Sequence, residues 1–172
     1  MKPTRINQLY QAAFTELPIA NHRRHVAMAV LDCFSRYLLT LRVSPTAAAS
    51  DLVQGLDQAL EEARRVSELP GDQMIALVTD RDPTTTAQVF SDYIAASPFQ
   101  CVPSEDRTFR SLGIVRRFMW ALKDEETSLN VYRSPAEAQR SMDRFRRIYN
   151  HERPHQALGY KVPADIFCKE RT

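Results

Sequence analysis

Asp80 is the acidic residue whose position most favours chemistry. It follows a short apolar run at residues 75–79, and a new segment starts at Pro83. A carboxylate at the end of a buried strand can bind a hard divalent cation such as magnesium. It can equally cap a helix or form an ion pair. One carboxylate alone cannot hold two such cations, because they dehydrate reluctantly.

Three further acids, Asp82, Glu105 and Asp106, could supply additional metal ligands. The last two lie in a polar stretch, whereas a metal pair needs carboxylates held by rigid elements. Asp32 falls in a predicted turn between two strands and is interpreted as a structural turn residue. Metal binding is therefore the less favoured interpretation of these four acids.

Composition narrows the class of protein. The 172 residues are 44% hydrophobic and 26% charged, which is typical of one globular domain. The three cysteines are far apart, and neither they nor the four histidines have the spacing of a disulfide framework or a metal site. No apolar run reaches the roughly 20 residues of a membrane span, and the N-terminus lacks the apolar core of a secretory signal. We expect a cytoplasmic protein with no membrane partner.

Charge is unevenly distributed along the chain. Residues 46–106 contain three basic and eleven acidic side chains, whereas residues 107–153 contain eleven basic and six acidic ones. A basic segment on a protein of net charge +2 indicates a local surface for an acidic partner. The alternative is that these side chains form an ordinary solvated helix face.

The hydrophobic pattern predicts an α/β domain over residues 1–172, with a core at about 8–150 and a docking tail at 151–172. Three strands in an antiparallel meander come first, followed by a helix, a strand, a helix, a strand and two helices. This order predicts a five-stranded mixed sheet, three strands antiparallel and then two parallel, flanked by helices. Ser134 to Glu137 is a capping box that starts the last helix, and Pro154 stops it.

Four motifs resemble the ribonuclease-H-like core of retroviral-type integrases and bacterial insertion-sequence transposases. Residues 30–38 are similar to the family's V-L-D-x-F-S-R turn, and residues 79–81 to the start of its S-D-R-G segment. Residues 117–123 resemble its E-R-F…L-K helix. The most specific match is residues 149–163, which are similar to the C-terminal Y-N-x-x-R-P-H-x-A-L-G…P. The resemblance covers roughly residues 8–167.

The resemblance implies three catalytic carboxylates that bind two magnesium or manganese ions. Asp80 takes the place of the second carboxylate. Ala13 stands where the family has its first aspartate, and Arg116 stands thirty-six positions after Asp80, where the family has its glutamate. Two of the three ligands are therefore replaced, and no cofactor is expected. We hypothesise that the Arg116 guanidinium neutralises Asp80 in place of the metals.

The predicted third helix carries the candidate DNA contacts. Arg116, Trp120 and Lys123 fall on one face, off the apolar stripe. In the family this helix lies against DNA, so Arg110, Arg117 and Lys123 are the expected phosphate contacts. Trp120 is either a core residue or a platform on which bases stack. His155 and the apolar side chains of the tail are interpreted as packing residues that dock the last helix on the core.

The expected function follows from these replacements. The chain is predicted to be an integrase- or transposase-core homologue associated with DNA integration, recombination or transposition, with a degenerate active site. It would be inactive in strand cleavage and transfer, and would retain nucleic-acid binding or assembly as a homodimer or with an active transposase. The alternative is an active metal-dependent nuclease or strand transferase with relocated carboxylates, which would need magnesium or manganese.

Overall fold

A five-stranded mixed sheet forms the centre of the protein. The computed structural model describes residues 2–20, 24–69, 71–79, 86–102 and 113–168. The strands lie in the order β3-β2-β1-β4-β5, with β1 antiparallel to β2, β2 antiparallel to β3, and β4 parallel to both β1 and β5. The predicted fold class is confirmed. The strands are β1 (Leu9–Leu17), β2 (His25–Asp32), β3 (Leu38–Ser44), β4 (Ile75–Thr79) and β5 (Phe99–Cys101).

Helices cover both faces of the sheet in the predicted order. Within the described ranges, none of them combines the length and apolar character of a membrane span. Helix α3 continues directly into a π-helical turn at Lys123–Thr127, and a short 3₁₀ turn at Gln156–Leu158 precedes the last helix. The helices are α1 (Ala49–Val66), α2 (Gln88–Ala96), α3 (Gly113–Leu122), α4 (Pro135–His151) and α5 (Pro163–Phe167).

Strand β1 separates two apolar clusters because its side chains alternate between the faces of the sheet. Tyr10 and Ala12 lie in the cluster that α1 and α2 cover. Leu9, Ala13 and Leu17 lie in the cluster that α3 and α4 cover. Both faces of this central strand are therefore buried.

The tail does not dock in the predicted way. Ala157 is exposed and Tyr160 is 71% exposed, so the expectation that these apolar side chains pack on the core is wrong. Docking instead uses Phe167 of α5, which stacks on Tyr37 with ring centroids 4.6 Å apart. Both rings are almost fully buried. The tail therefore packs on the core through α5, a helix that the sequence pattern did not predict.

Amide side chains of α4 cover the outer edge of β3. Asn150 accepts a hydrogen bond from the Leu38 backbone N–H at 2.8 Å and donates to the Leu38 carbonyl at 3.0 Å. Gln139 accepts from the Val43 N–H at 2.7 Å and donates to the Leu41 carbonyl at 3.1 Å. These bonds satisfy backbone groups that an edge strand would otherwise leave open to another strand.

Replacing Asn150 should therefore weaken the whole domain. Asn150→Ala removes both bonds at a side chain that is 1% exposed, and it leaves the Leu38 N–H buried without a partner. We expect the free energy of unfolding, measured in urea, to fall by about 2–4 kcal/mol. Arg140→Ala, at an exposed position of the same helix, is the control and should change it by less than about 0.5 kcal/mol. Equal stability of the two variants would contradict this assignment.

Candidate functional site

The position that the resemblance assigns to the family's first carboxylate is an apolar core position. Ala13 is 5% exposed and pairs with Ala29 of β2. It belongs to the same cluster as Val115 and Phe118 of α3. Two residues earlier on the same face, the Gln11 side chain accepts a hydrogen bond from the Val115 backbone N–H at 3.0 Å, so α3 begins directly over β1. Position 13 therefore presents a methyl group, and no metal ligand, to α3.

Asp80 follows β4 in the sequence. The described pairing of β1 with β4 runs from Leu9↔Ala76 to Ala12↔Thr79. In the sequence, Ala13 follows Ala12 and Asp80 follows Thr79. Asp80 itself lies outside the described residues. The same is true of Arg110 and of the acids considered as relocated ligands, at positions 82, 105 and 106.

Helix α3 separates an apolar face from a basic one. Val115, Phe118, Met119 and Leu122 are buried. Arg116, Arg117 and Lys123 are exposed, and Trp120 is 81% exposed. The core interpretation of Trp120 is therefore wrong, as its place off the apolar stripe already indicated. A large exposed ring beside cations is the arrangement found on surfaces where bases stack.

A buried carboxylate fixes the far end of this helix. Glu126 lies in the π-helical turn, is 7% exposed and accepts hydrogen bonds from the Tyr132 hydroxyl at 2.9 Å and from the Ser141 hydroxyl. The Asn130 side chain donates to the Glu126 backbone carbonyl at 2.7 Å. The turn after α3 is thereby tied to α4, which holds the exposed face of α3 in a fixed orientation.

The residues at the two replaced positions do not fit a pair of divalent metals. Position 13 offers no oxygen, and position 116 places a guanidinium where a carboxylate would be needed. In the described part of the chain, no group of three or more His, Cys, Asp or Glu side chains is arranged to hold a metal ion.

Asp32 is a structural acid, in agreement with its interpretation as a turn residue. Its carboxylate accepts hydrogen bonds from the backbone N–H groups of Asn7 at 2.9 Å and Ser35 at 2.8 Å, and from the Ser35 hydroxyl at 2.6 Å. Burial nevertheless raises the pKa of Asp32 from 3.8 to about 6, although these bonds oppose the rise. The carboxylate thus ties the start of β1 to the turn between β2 and β3.

Comparisons of sequence find similarity to an integrase core family and to proteins of insertion elements. The integrase core domain family model matches residues 101–163. A 31.7 kDa protein of insertion element IS407 from Burkholderia multivorans is 22% identical over 165 residues, which are 96% of this chain and 57% of that protein. A 39.2 kDa protein of insertion element IS476 from Xanthomonas euvesicatoria is 25% identical over 166 residues, which are 96% of this chain and 46% of that protein. The chain spans about half the length of these curated relatives.

Solved structures share the fold over almost the whole chain. The HTLV-2 integrase catalytic core domain in complex with magnesium, in its dimeric form, gives a TM-score of 0.70 at 13% identity and covers 95% of this chain and 98% of that one. A chain of the simian T-cell lymphotropic virus intasome in complex with the PP2A subunit B56 gamma gives 0.75 at 16% identity, over 99% of this chain and 58% of that one. The fold is ribonuclease-H-like. Residues 101–163 are similar in sequence to integrase core domains, and the fold over almost the whole chain is that of the HTLV-2 integrase catalytic core.

The pKa of Asp32 predicts how stability depends on pH. The folded chain binds this proton more tightly than the unfolded chain, so the stabilisation is present below about pH 4 and is lost as the pH rises to about 6. We compare the free energy of unfolding of the native chain with that of Asp32→Asn, which cannot titrate there. The native advantage should shrink by roughly 3 kcal/mol across this window.

The native chain and the variant share every other titrating group, so the difference between them isolates position 32. A native advantage that grows with pH would contradict the prediction. It would show that the three hydrogen bonds outweigh burial.

Proposed function

We propose that this chain is an integrase- or transposase-type core that does not cleave or join DNA strands and that retains a nucleic-acid-binding or assembly role. The observation that carries the proposal is Ala13. It lies on the central strand, on the face that α3 covers, and its side chain is part of the apolar core. The resemblance implies that, in the family, the residue at this position supplies the first ligand of the metal pair.

Electrostatics support the same proposal. Three carboxylates and two divalent cations nearly balance in charge, and the substrate phosphate completes the balance. With Ala13 and Arg116 at two of the three positions, the positive charge of Arg116 would cancel the negative charge of Asp80, and the net charge there would be zero. We propose that Arg116 forms a charge-assisted pair with Asp80 and so removes the attraction for magnesium.

The exposed face of α3 supports nucleic-acid binding. Arg117, Trp120 and Lys123 are all exposed along it. Cations there would contact phosphates, which position a nucleic acid without reading its sequence, and the Trp120 ring would stack on an unpaired base. Some positive charge nearby is already neutralised within the protein, since Arg147 pairs with Glu152 at 2.7 Å and Arg153 pairs with Glu125.

An assembly role is consistent with the structural neighbours. The HTLV-2 core is described in dimeric and trimeric forms, and the simian virus protein is part of an intasome. We propose that this chain likewise associates with a second copy or with an active transposase.

Restoring the carboxylates tests whether their loss explains the lack of chemistry. We expect no manganese-dependent nicking or strand transfer by the native chain on a supercoiled plasmid. The double variant Ala13→Asp with Arg116→Glu should nick it, and adding Asp80→Ala should abolish the gain. Because Ala13→Asp buries a carboxylate, the double variant should lose about 2–4 kcal/mol of stability without metal.

Metal binding supplies the control for this experiment. Manganese should raise the melting temperature of the double variant and leave that of the native chain unchanged, because a ligand that binds only the folded state stabilises it. Nicking by the native chain that is lost in Asp80→Ala would overturn the proposal and establish the alternative of relocated carboxylates.

Fluorescence anisotropy with labelled DNA tests the α3 face. Lys123→Gln should weaken binding severalfold and reduce the slope of log affinity against log salt by about one, because one phosphate contact is lost. Trp120→Ala should weaken binding to single-stranded DNA by about 1–3 kcal/mol and leave the slope unchanged, since stacking releases no counterions.

Lys2→Gln is the matched control, because it removes an equal charge from an exposed residue near the N-terminus. Equal losses in Lys123→Gln and Lys2→Gln would contradict a specific role for α3. They would indicate attraction by net charge alone.

A further inference from the structure

A cleft between α3 and the tail brings together residues from three separate motifs. Its volume is about 600 Å³. Arg36 comes from the turn between β2 and β3, Arg117 from α3, and Arg153 and His155 from the tail, and all four line the cleft. We call these four residues the arginine cleft. No acidic side chain of the described residues lines it, and Glu125, which does not line the cleft, pairs with Arg153.

His155 has a polar atom that lacks a partner. Its Nε2 is buried and has no hydrogen-bond partner in the described part of the chain. The ring is held in place, because its edge meets Tyr149 with centroids 4.9 Å apart and the His155 backbone N–H donates to the Lys161 carbonyl at 3.0 Å. A buried polar atom left without a partner is costly, and a ligand in the cleft that His155 lines could supply the missing bond.

The arginines are close enough to act on that ring. Burial lowers the pKa of His155, and Arg153 and Arg36 lower it further. The imidazole is therefore neutral near pH 7, and the tautomer with its proton on Nε2 can donate to an anion without adding charge. The Arg153 guanidinium lies 5.9 Å from the centre of the Tyr149 ring, beside His155.

Arg36 is held in a costly backbone conformation. Its φ is +66°, in the left-handed region that a residue with a side chain rarely adopts. Its backbone N–H donates to the Asp32 carbonyl at 2.9 Å, and its Nη1 donates to the Cys33 carbonyl at 2.6 Å. A guanidinium has five N–H donors, so this bond fixes the group and leaves donors that can reach a ligand.

We propose that the arginine cleft binds a phosphate group of a nucleic-acid backbone. Several guanidinium groups around one cavity suit a phosphate, which accepts paired N–H bonds and has oxygens for several donors. The Nε2 of His155 would supply one further donor at the buried end. This inference rests on the proposed nucleic-acid role and assigns it a second contact, separate from Trp120 and Lys123.

Two variants test the cleft by different means. His155→Phe keeps an aromatic ring against Tyr149 and removes Nε2, and Arg117→Gln removes an exposed charge. Each should bind a labelled DNA duplex about tenfold more weakly than the native chain. Arg117→Gln should also reduce the salt slope by about one, whereas His155→Phe should not, because the lost donor is neutral. Arg140→Gln, on the exposed face of α4, is the control and should bind as the native chain does.

The effect of inorganic phosphate on the melting temperature distinguishes the arginine cleft from the other proposed DNA contacts. Phosphate should raise the melting temperatures of the native chain and of Arg140→Gln but not that of His155→Phe. Without phosphate, the stability of His155→Phe should be equal to or above that of the native chain. If phosphate fails to stabilise the native chain, the proposal that the arginine cleft binds phosphate is overturned. A duplex affinity that Lys123→Gln weakens but neither cleft variant changes also overturns it, and in that case the proposed function stands. If the native chain binds no duplex but is stabilised by phosphate, the proposed nucleic-acid binding is overturned. The arginine cleft would then be a binding site for free phosphate.

Discussion

Strand β1 is the constraint on which the rest of the structure depends. It hydrogen-bonds to β2 and to β4, and apolar clusters cover both of its faces. An aspartate at position 13 would carry a desolvation penalty in that setting unless metal or hydrogen bonds offset it. Ala13 carries none, so the sheet keeps its packing without a catalytic group. Fold stability and metal chemistry are therefore separable at this position.

Buried polar side chains, in addition to apolar packing, fix the helices on this sheet. Gln11 bonds to the first turn of α3, Asn150 bonds β3 to the end of α4, and Glu126 ties the turn after α3 to α4. Such bonds are directional, and leaving either partner unpaired is costly, so they set the orientation of each helix more narrowly than apolar contact does. These bonds therefore set the orientation of the exposed face of α3 and of one wall of the arginine cleft.

Sequence reasoning predicted the strands well because each is a short apolar run bounded by turn residues, as at Val26 to Leu31. It failed for the tail, where Tyr160 is 71% exposed and adopts a left-handed conformation, φ +65°, that its residue type does not predict. The arginine cleft was missed because its members lie up to 119 positions apart, from Arg36 to His155. Their shared signal was that each belongs to, or lies next to, a recognisable motif. Only the folded chain shows that those motifs meet.

Binding and catalysis make different demands on this scaffold. A metal pair needs several carboxylates close together, which repel one another until the cations arrive. Phosphate binding needs donors and positive charge, and the arginine cleft has both without any metal. At the positions that the resemblance assigns to two of the carboxylates, Ala13 and Arg116 carry no negative charge, which disfavours metal binding and favours the approach of a polyanion. These two residues therefore support the proposal of a core that holds nucleic acid without cutting it.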